Sequence, residues 1–208
     1  PRLGGFTIFH CILCTTCFFT ALRILLRYLP DPQFTVTMVT ELLLLIAGLT
    51  LLYVVGIADD LMGVRYRKKF FVQIISAAFF PLAGLYINNF YGLFGIYEIS
   101  TYVGIPLTML LAVFITNAIN LIDGIDGLAS SLSMVALTIL GVIFIHNQQW
   151  IYALLAFVCV GILIPFFSYN VFGNADRGRK IFMGDTGSLT LGYILSIFVF
   201  KDCMYRGT

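Results

Sequence analysis

The chain has 208 residues, of which 60% are hydrophobic and 11% charged, and its mean hydropathy is +1.00. That composition excludes an ordinary soluble globular domain, and it excludes a nucleic-acid-binding surface, because twelve basic residues dispersed through so apolar a chain make no basic face. The net charge of +2 does not select a partner, and the five cysteines do not form a secreted-type framework.

A membrane helix needs about 20 mostly apolar residues, and seven stretches qualify. The first covers about residues 6–29. It contains Cys11, Cys14 and Cys17, a spacing used by metal sites, but inside an apolar run cysteine acts as a small hydrophobe. Pro1-Arg-Leu-Gly-Gly5 precedes it without an initiator Met or a cleavable leader, so the sequence reads as the middle of a longer protein. Leu29-Pro-Asp-Pro32 is a sharp break. The second stretch is about 36–58 and the third about 70–87. Asn88-Asn-Phe-Tyr-Gly-Leu-Phe-Gly95 follows as an aromatic, glycine-bearing loop suited to the membrane interface. The fourth and fifth are about 102–119 and 128–145. His146-Asn-Gln-Gln-Trp150 turns the chain into the sixth, about 150–169, and the seventh runs from about 185 to 200. The expectation is an all-α, polytopic membrane protein with about seven spans in a single domain, residues 1–208. His10 and His146 sit at span ends without a partner and read as structural.

With seven spans, the N-terminus and the loops 59–69, 120–127 and 170–184 share one side. That side carries Arg2, Arg65, Arg67, Lys68, Lys69, Arg177, Arg179 and Lys180, eight of the twelve basic residues, and is therefore cytoplasmic by the positive-inside rule. Arg23 and Arg27 can snorkel to the other surface. The same side holds Asp59, Asp60, Asp123, Asp126, Asp176 and Asp185, six of the ten acids. The charge rule does not gather carboxylates. A site that needs them does.

Three constellations carry that site. Asp59-Asp60 is a repelling pair followed by Arg65-Tyr-Arg-Lys-Lys69, a juxtaposition suited to a divalent cation and phosphate. An acidic cap followed by ordinary cytoplasmic cations is the plainer alternative. Asn117, Asn120, Asp123 and Asp126 recur every three residues, so a helical end stacks them on one side, and Gly124 and Gly127 let the backbone turn close to a ligand. A cap and turn between spans is the plainer alternative here. Asn174-Ala-Asp-Arg-Gly-Arg-Lys-Ile-Phe-Met-Gly-Asp-Thr-Gly-Ser188 leads a basic run into a helix start. There, backbone N–H groups attract phosphate, Asp185 can hold a hard cation, and Phe182 offers a face for a base. A charged loop with an N-cap would look similar.

Gly56-Ile-Ala-Asp-Asp60, Asn117-Ala-Ile-Asn-Leu-Ile-Asp-Gly-Ile-Asp-Gly127 and Phe182-Met-Gly-Asp-Thr-Gly-Ser188, with the weaker Pro1–Gly5, make the chain resemble the polyprenyl-phosphate N-acetylhexosamine-1-phosphate transferases. It is most similar to the bacterial undecaprenyl-phosphate GlcNAc-1-phosphate branch. CDP-alcohol phosphotransferases also use an Asp-Gly element, but theirs continues with Ala-Arg, whereas Leu128-Ala129 leads into Ser130-Ser131. The resemblance implies a multi-pass enzyme of the bacterial inner membrane, with its site on the cytoplasmic face. Such an enzyme moves a sugar-1-phosphate from a UDP-sugar to a polyprenyl phosphate, with Mg²⁺ (or Mn²⁺), and a homodimer is compatible with it.

By the same resemblance Asp59, Asp60, Lys69, Asp123 and Asp126 are catalytic. Asn117, Gly124, Asp126, Asn170 and Phe182 contact the nucleotide, and Asp185 and Asn120 hold the metal. Gly63 stands where the phospho-MurNAc-pentapeptide translocases have Lys, and the family's later His- or Arg-rich segment is not found after Asp185. Two rival functions are a divalent-cation transporter and a homologue that binds UDP-sugar or lipid carrier without turnover.

Overall fold

The computed structural model describes residues 4–25, 36–174 and 176–205. The break at 29–32, Arg2, Arg27, the side chain of Arg23 and the first three residues of Pro1–Gly5 lie outside the described residues. Among the described residues seven α-helices follow one another: α1 (Gly4–Leu25), α2 (Val36–Met62), α3 (Tyr66–Leu82), α4 (Thr101–Ile122), α5 (Leu128–His146), α6 (Trp150–Val171) and α7 (Gly184–Tyr205). A single 3₁₀ turn, Leu93–Gly95, and one isolated bridge, Asn89 to Glu98, shape the loop between α3 and α4.

Six of the seven helices are long and apolar enough to cross a membrane, and α3 is the exception. The expected fold of about seven spans is thus met by six such helices and the shorter α3. The third helix starts at Tyr66, so its basic residues fall in its first turn, and it ends at Leu82 after 17 residues. Gly84 terminates it at φ +80°, with the Leu85 N–H bonded to the Phe80 carbonyl, the geometry of a glycine helix stop. The chain then continues extended beside α4. Leu85 and Ile87 are buried, and the Ile87 N–H donates to Thr108 Oγ1, two turns into α4, at 2.9 Å. Gly104 permits that approach, since a Cβ there would collide with the Ile87 carbonyl. The return path to the far end is therefore a short helix plus an extended strip, and the alternation of chain direction survives.

The helix α7 is the hub. It packs against α1, α2, α4 and α5, and nearly every residue from Thr186 to Phe198 is buried. Around it the others form an open ring in the order α2, α3, α4, α5, α6, α1. Without a hydrophobic drive between helices in lipid, close packing relies on small residues. Gly5 of α1 meets Gly187, Gly56 of α2 meets Thr186, Gly48 meets Tyr193, and Gly192 meets Thr116 of α4. Where α1 faces α2 the join is made by side chains: Phe9 stacks on Tyr53 with ring centroids 3.9 Å apart. Beside this rung lies an apolar cleft lined by Ile12, Leu45, Leu49, Leu155 and Ile194 among others.

At the end of the molecule away from the acidic motifs, Glu41 of α2 is buried and accepts from Lys201 Nζ at 2.8 and 2.9 Å and from the Tyr152 hydroxyl. Those charges can lie so deep because each is paired.

Candidate functional site

The ends of α2, α4 and α6, the starts of α3, α5 and α7, and the loops joining them meet at one end of the bundle. Lys69, in the first turn of α3, is the central cation. Its Nζ bonds Asp59 Oδ2 at 2.9 Å and also Asp185 Oδ1. Asp59 accepts a second bond from the Val64 N–H at 2.6 Å, which folds the α2–α3 turn around it. Asn120 Nδ2 donates to the same Asp185 oxygen at 2.6 Å and to Ser188 Oγ at 2.7 Å. One carboxylate oxygen on α7 thus collects side chains from α3 and α4, and Lys69 links it to α2.

Asp60 behaves differently from its neighbour. Its Oδ1 accepts from the Asp185 N–H at 2.9 Å, and its Oδ2 accepts from the Thr186 N–H at 3.0 Å and Thr186 Oγ1 at 2.6 Å. Asp60 is the N-cap of α7, supplied from 125 residues away. Gly184 must be glycine for this, being at φ +70°, with a Cβ there falling 2.7 Å from both Asp60 oxygens. The expectation that free N–H groups at this helix start attract phosphate is accordingly corrected for Asp185 and Thr186, since a carboxylate already occupies both.

The α4–α5 turn supplies the next wall. Asp123 ends α4, Gly127 adopts φ +76°, and Asn170 of α6 lies beneath them. Asn170 is buried; its Oδ1 accepts from the Gly127 N–H at 2.6 Å and its Nδ2 donates to the Ile181 carbonyl at 2.9 Å. It ties the turn to the segment preceding α7. Asn117 lies one turn below Asn120 and pairs with Gln73 of α3, a residue absent from the sequence-derived set. Gly124, Asp126 and Phe182 stand exposed at the rim. Lys180 Nζ bonds Asp126 Oδ2 and lies 5.6 Å from the Phe182 ring centre. The Phe182 and Met183 carbonyls are held from behind by the N–H groups of Gly4 and Gly5, at 3.1 and 2.9 Å, so the glycine pair of Pro1–Gly5 supports the rim.

Electrostatically the site is crowded with negative charge. Burial, then the charges of Asp185, Asp60 and Asp126, push the Asp123 carboxyl up to about 7. The arrangement concentrates carboxylates and carboxamides around a cation on a floor shielded from water, with an aromatic face at the edge. It suits an anionic ligand that brings its own positive charge.

The fold and site together define a polytopic helical membrane protein with a polar site at one end of its bundle. Residues 42–201 match the family model described as glycosyl transferase family 4, and the chain belongs to that family. It is 34% identical over 199 residues to a probable undecaprenyl-phosphate N-acetylglucosaminyl 1-phosphate transferase of Bacillus subtilis, covering 95% of this chain and 50% of the relative. It is 32% identical to the undecaprenyl-phosphate alpha-N-acetylglucosaminyl 1-phosphate transferase of Yersinia pestis, over 93% and 49% of the two chains. A phospho-N-acetylmuramoyl-pentapeptide-transferase of Staphylococcus carnosus is also 32% identical, over 94% and 60%. The chain spans about half the length of these curated relatives.

Proposed function

We propose that the protein, in its full-length form, transfers an N-acetylhexosamine-1-phosphate, most simply GlcNAc-1-phosphate, from a UDP-sugar to a polyprenyl phosphate and releases UMP. An oxygen of the lipid phosphate forms a bond to the sugar-bearing phosphorus of the UDP-sugar. The bond from that phosphorus to the UMP oxygen breaks, and its electron pair leaves with UMP. The observation that carries this reading is Lys69 bridging Asp59 and Asp185 where α2, α3 and α7 meet. The activities for which the relatives are named point the same way.

Both substrates are anionic, so positioning and charge compensation are the main catalytic needs. Lys69 supplies positive charge at the floor and Lys180 at the rim. Phe182, 43% exposed, offers its face to uracil, Lys180 joins it to Asp126, and Gly124 is assigned to the same nucleotide. Asp59 orients Lys69, and Asp60 holds the start of α7 in place.

The donor set fits Mg²⁺ in a particular way. Asp185 and the Asn120 carboxamide would hold it, and among the described residues no three His, Cys, Asp or Glu side chains form a metal cage. Mg²⁺ is commonly bound by one or two carboxylates with the remaining ligands from substrate phosphates and water. When bound, it would neutralise charge developing on the diphosphate.

The basic residues around the site support a cytoplasmic orientation of this end at the bacterial inner membrane, by the positive-inside rule. A cation transporter would rather gather its carboxylates near the bilayer midplane, whereas these lie at helix ends. The test is a radiolabel assay of the full-length protein with UDP-GlcNAc and polyprenyl phosphate, with and without Mg²⁺. Labelled lipid formed only with the metal is the expected result. Absence of any lipid product from UDP-GlcNAc or other UDP-N-acetylhexosamines overturns the proposal.

A further inference from the structure

We infer that Gln73 is a positioning residue for this site, acting through Asn117 to set how Lys69 and Asn120 converge on Asp185. Gln73 is 2% exposed on α3. Its Oε1 accepts from Asn117 Nδ2 at 2.6 Å, its Nε2 donates to Asn117 Oδ1 at 3.3 Å, and Asn117 Nδ2 also donates to the Val113 carbonyl at 2.8 Å. The two carboxamides are thus turned toward each other across the contact of α3 and α4.

Their register is the informative part. Lys69 precedes Gln73 by four residues on α3, and Asn120 follows Asn117 by three on α4, so each lies one turn nearer the site on the same helical face. Both then reach the same oxygen of Asp185. A paired carboxamide fixes both the separation and the vertical offset of two helices, because its two bonds are directional. A pair of leucines would fix only the separation. Interhelical hydrogen bonds of this kind add little stability in membranes, about 0.6 kcal/mol on average. Stability alone therefore accounts poorly for two polar side chains at this depth, and precision at the next turn accounts for them better.

The inference rests on the proposed transferase reading for its kinetic arm only. The experiment uses the full-length protein with Gln73→Leu, and with the exchange Gln73→Asn plus Asn117→Gln, which moves one methylene from α3 to α4 and keeps the pair. The first readout is the rate at which an amine-acylating reagent labels Lys69, measured by mass spectrometry without substrate. Gln73→Leu should raise it severalfold, and the exchange should bring it back toward wild type. The second is kinetics: kcat should fall by about 10²-fold in Gln73→Leu, with the KM for UDP-sugar changing less than about twofold and the thermal midpoint nearly unmoved. Unchanged Lys69 labelling, or an exchange variant no better than Gln73→Leu, overturns the positioning role. Shifted labelling in a protein whose wild type makes no lipid product would sustain the positioning role and refute the transferase reading instead.

Discussion

Lys69 sits between two carboxylates, and Asp185 sits between two donors, so the smallest changes here separate the roles most cleanly. Asp185→Asn removes the charge that pairs with Lys69, and that the proposal also assigns to Mg²⁺, while keeping the shape. It is expected to abolish Mg²⁺-dependent transfer in the full-length enzyme, and full retained activity would remove Asp185 from the metal role. Phe182→Ala should raise the KM for UDP-sugar by about 5- to 100-fold, the equivalent of roughly 1–3 kcal/mol of base stacking, with kcat less affected. Asp123 offers a pH signature. Its carboxyl is held up to about 7, against an ordinary value of 3.8. The folded state therefore binds more protons than the unfolded one between those limits, and the stability from this group falls as pH rises through that window. In divalent-free buffer the thermal midpoint of the wild type should decline relative to Asp123→Asn between pH 5 and 8, flattening above about 7. Parallel profiles across that range would show that Asp123 is not the titrating group.

Among elements, the start of α7 is the most constrained. Asp60 satisfies two of its N–H groups and one hydroxyl, and Gly184 leaves room for the carboxylate. Asp60→Asn turns one acceptor into a donor facing an N–H, and hydrogen bonds to charged groups are worth about 1.5–3 kcal/mol. A lowered thermal midpoint, accompanied by loss of transfer, is expected. Gly184→Ala should behave similarly, since it adds left-handed strain of about 1–2 kcal/mol to the steric conflict. A wild-type midpoint in both variants would show that the cap is dispensable.

Much of this was legible beforehand, and what was missed has identifiable causes. The hydrophobic runs located all seven helices, because such patterns are local; the three-residue spacing of Asn117, Asn120, Asp123 and Asp126 pointed to a helical end, which α4 supplies as far as its cap at Asp123, with Asp126 in the turn beyond. The partner of Asp60 was not legible, as nothing local tells which helix an aspartate caps when that helix is 125 residues on. Gln73 looked like one polar residue in an apolar helix; only the facing Asn117 gives it meaning. The pairing of Glu41 with Lys201 joins residues 160 apart and escaped for the same reason. The early end of α3 was different. Gly84, following Leu82-Ala83, is an ordinary helix-stop signal, and the apolar residues after it masked it.

On the scale of the molecule, the basic loops 64–69 and 176–180 and the aromatic loop 88–100 lie at opposite ends. Single cysteines placed at Arg177 and at Tyr97 in an otherwise cysteine-free protein should label from opposite sides of sealed inverted vesicles, the first from the former cytoplasmic side. Labelling of both from one side would contradict the bundle's topology. The central position of α7 bears on biosynthesis as well. During translation α1 to α6 leave the ribosome before α7, the helix that fills the middle. Until it threads into its slot, the glycine faces of α1 and α2 and the Thr116 face of α4 border a gap, and Asp60 has no amides to hold. The unfinished ring is then the species most exposed to quality-control proteases, and its interior closes only when α7 docks.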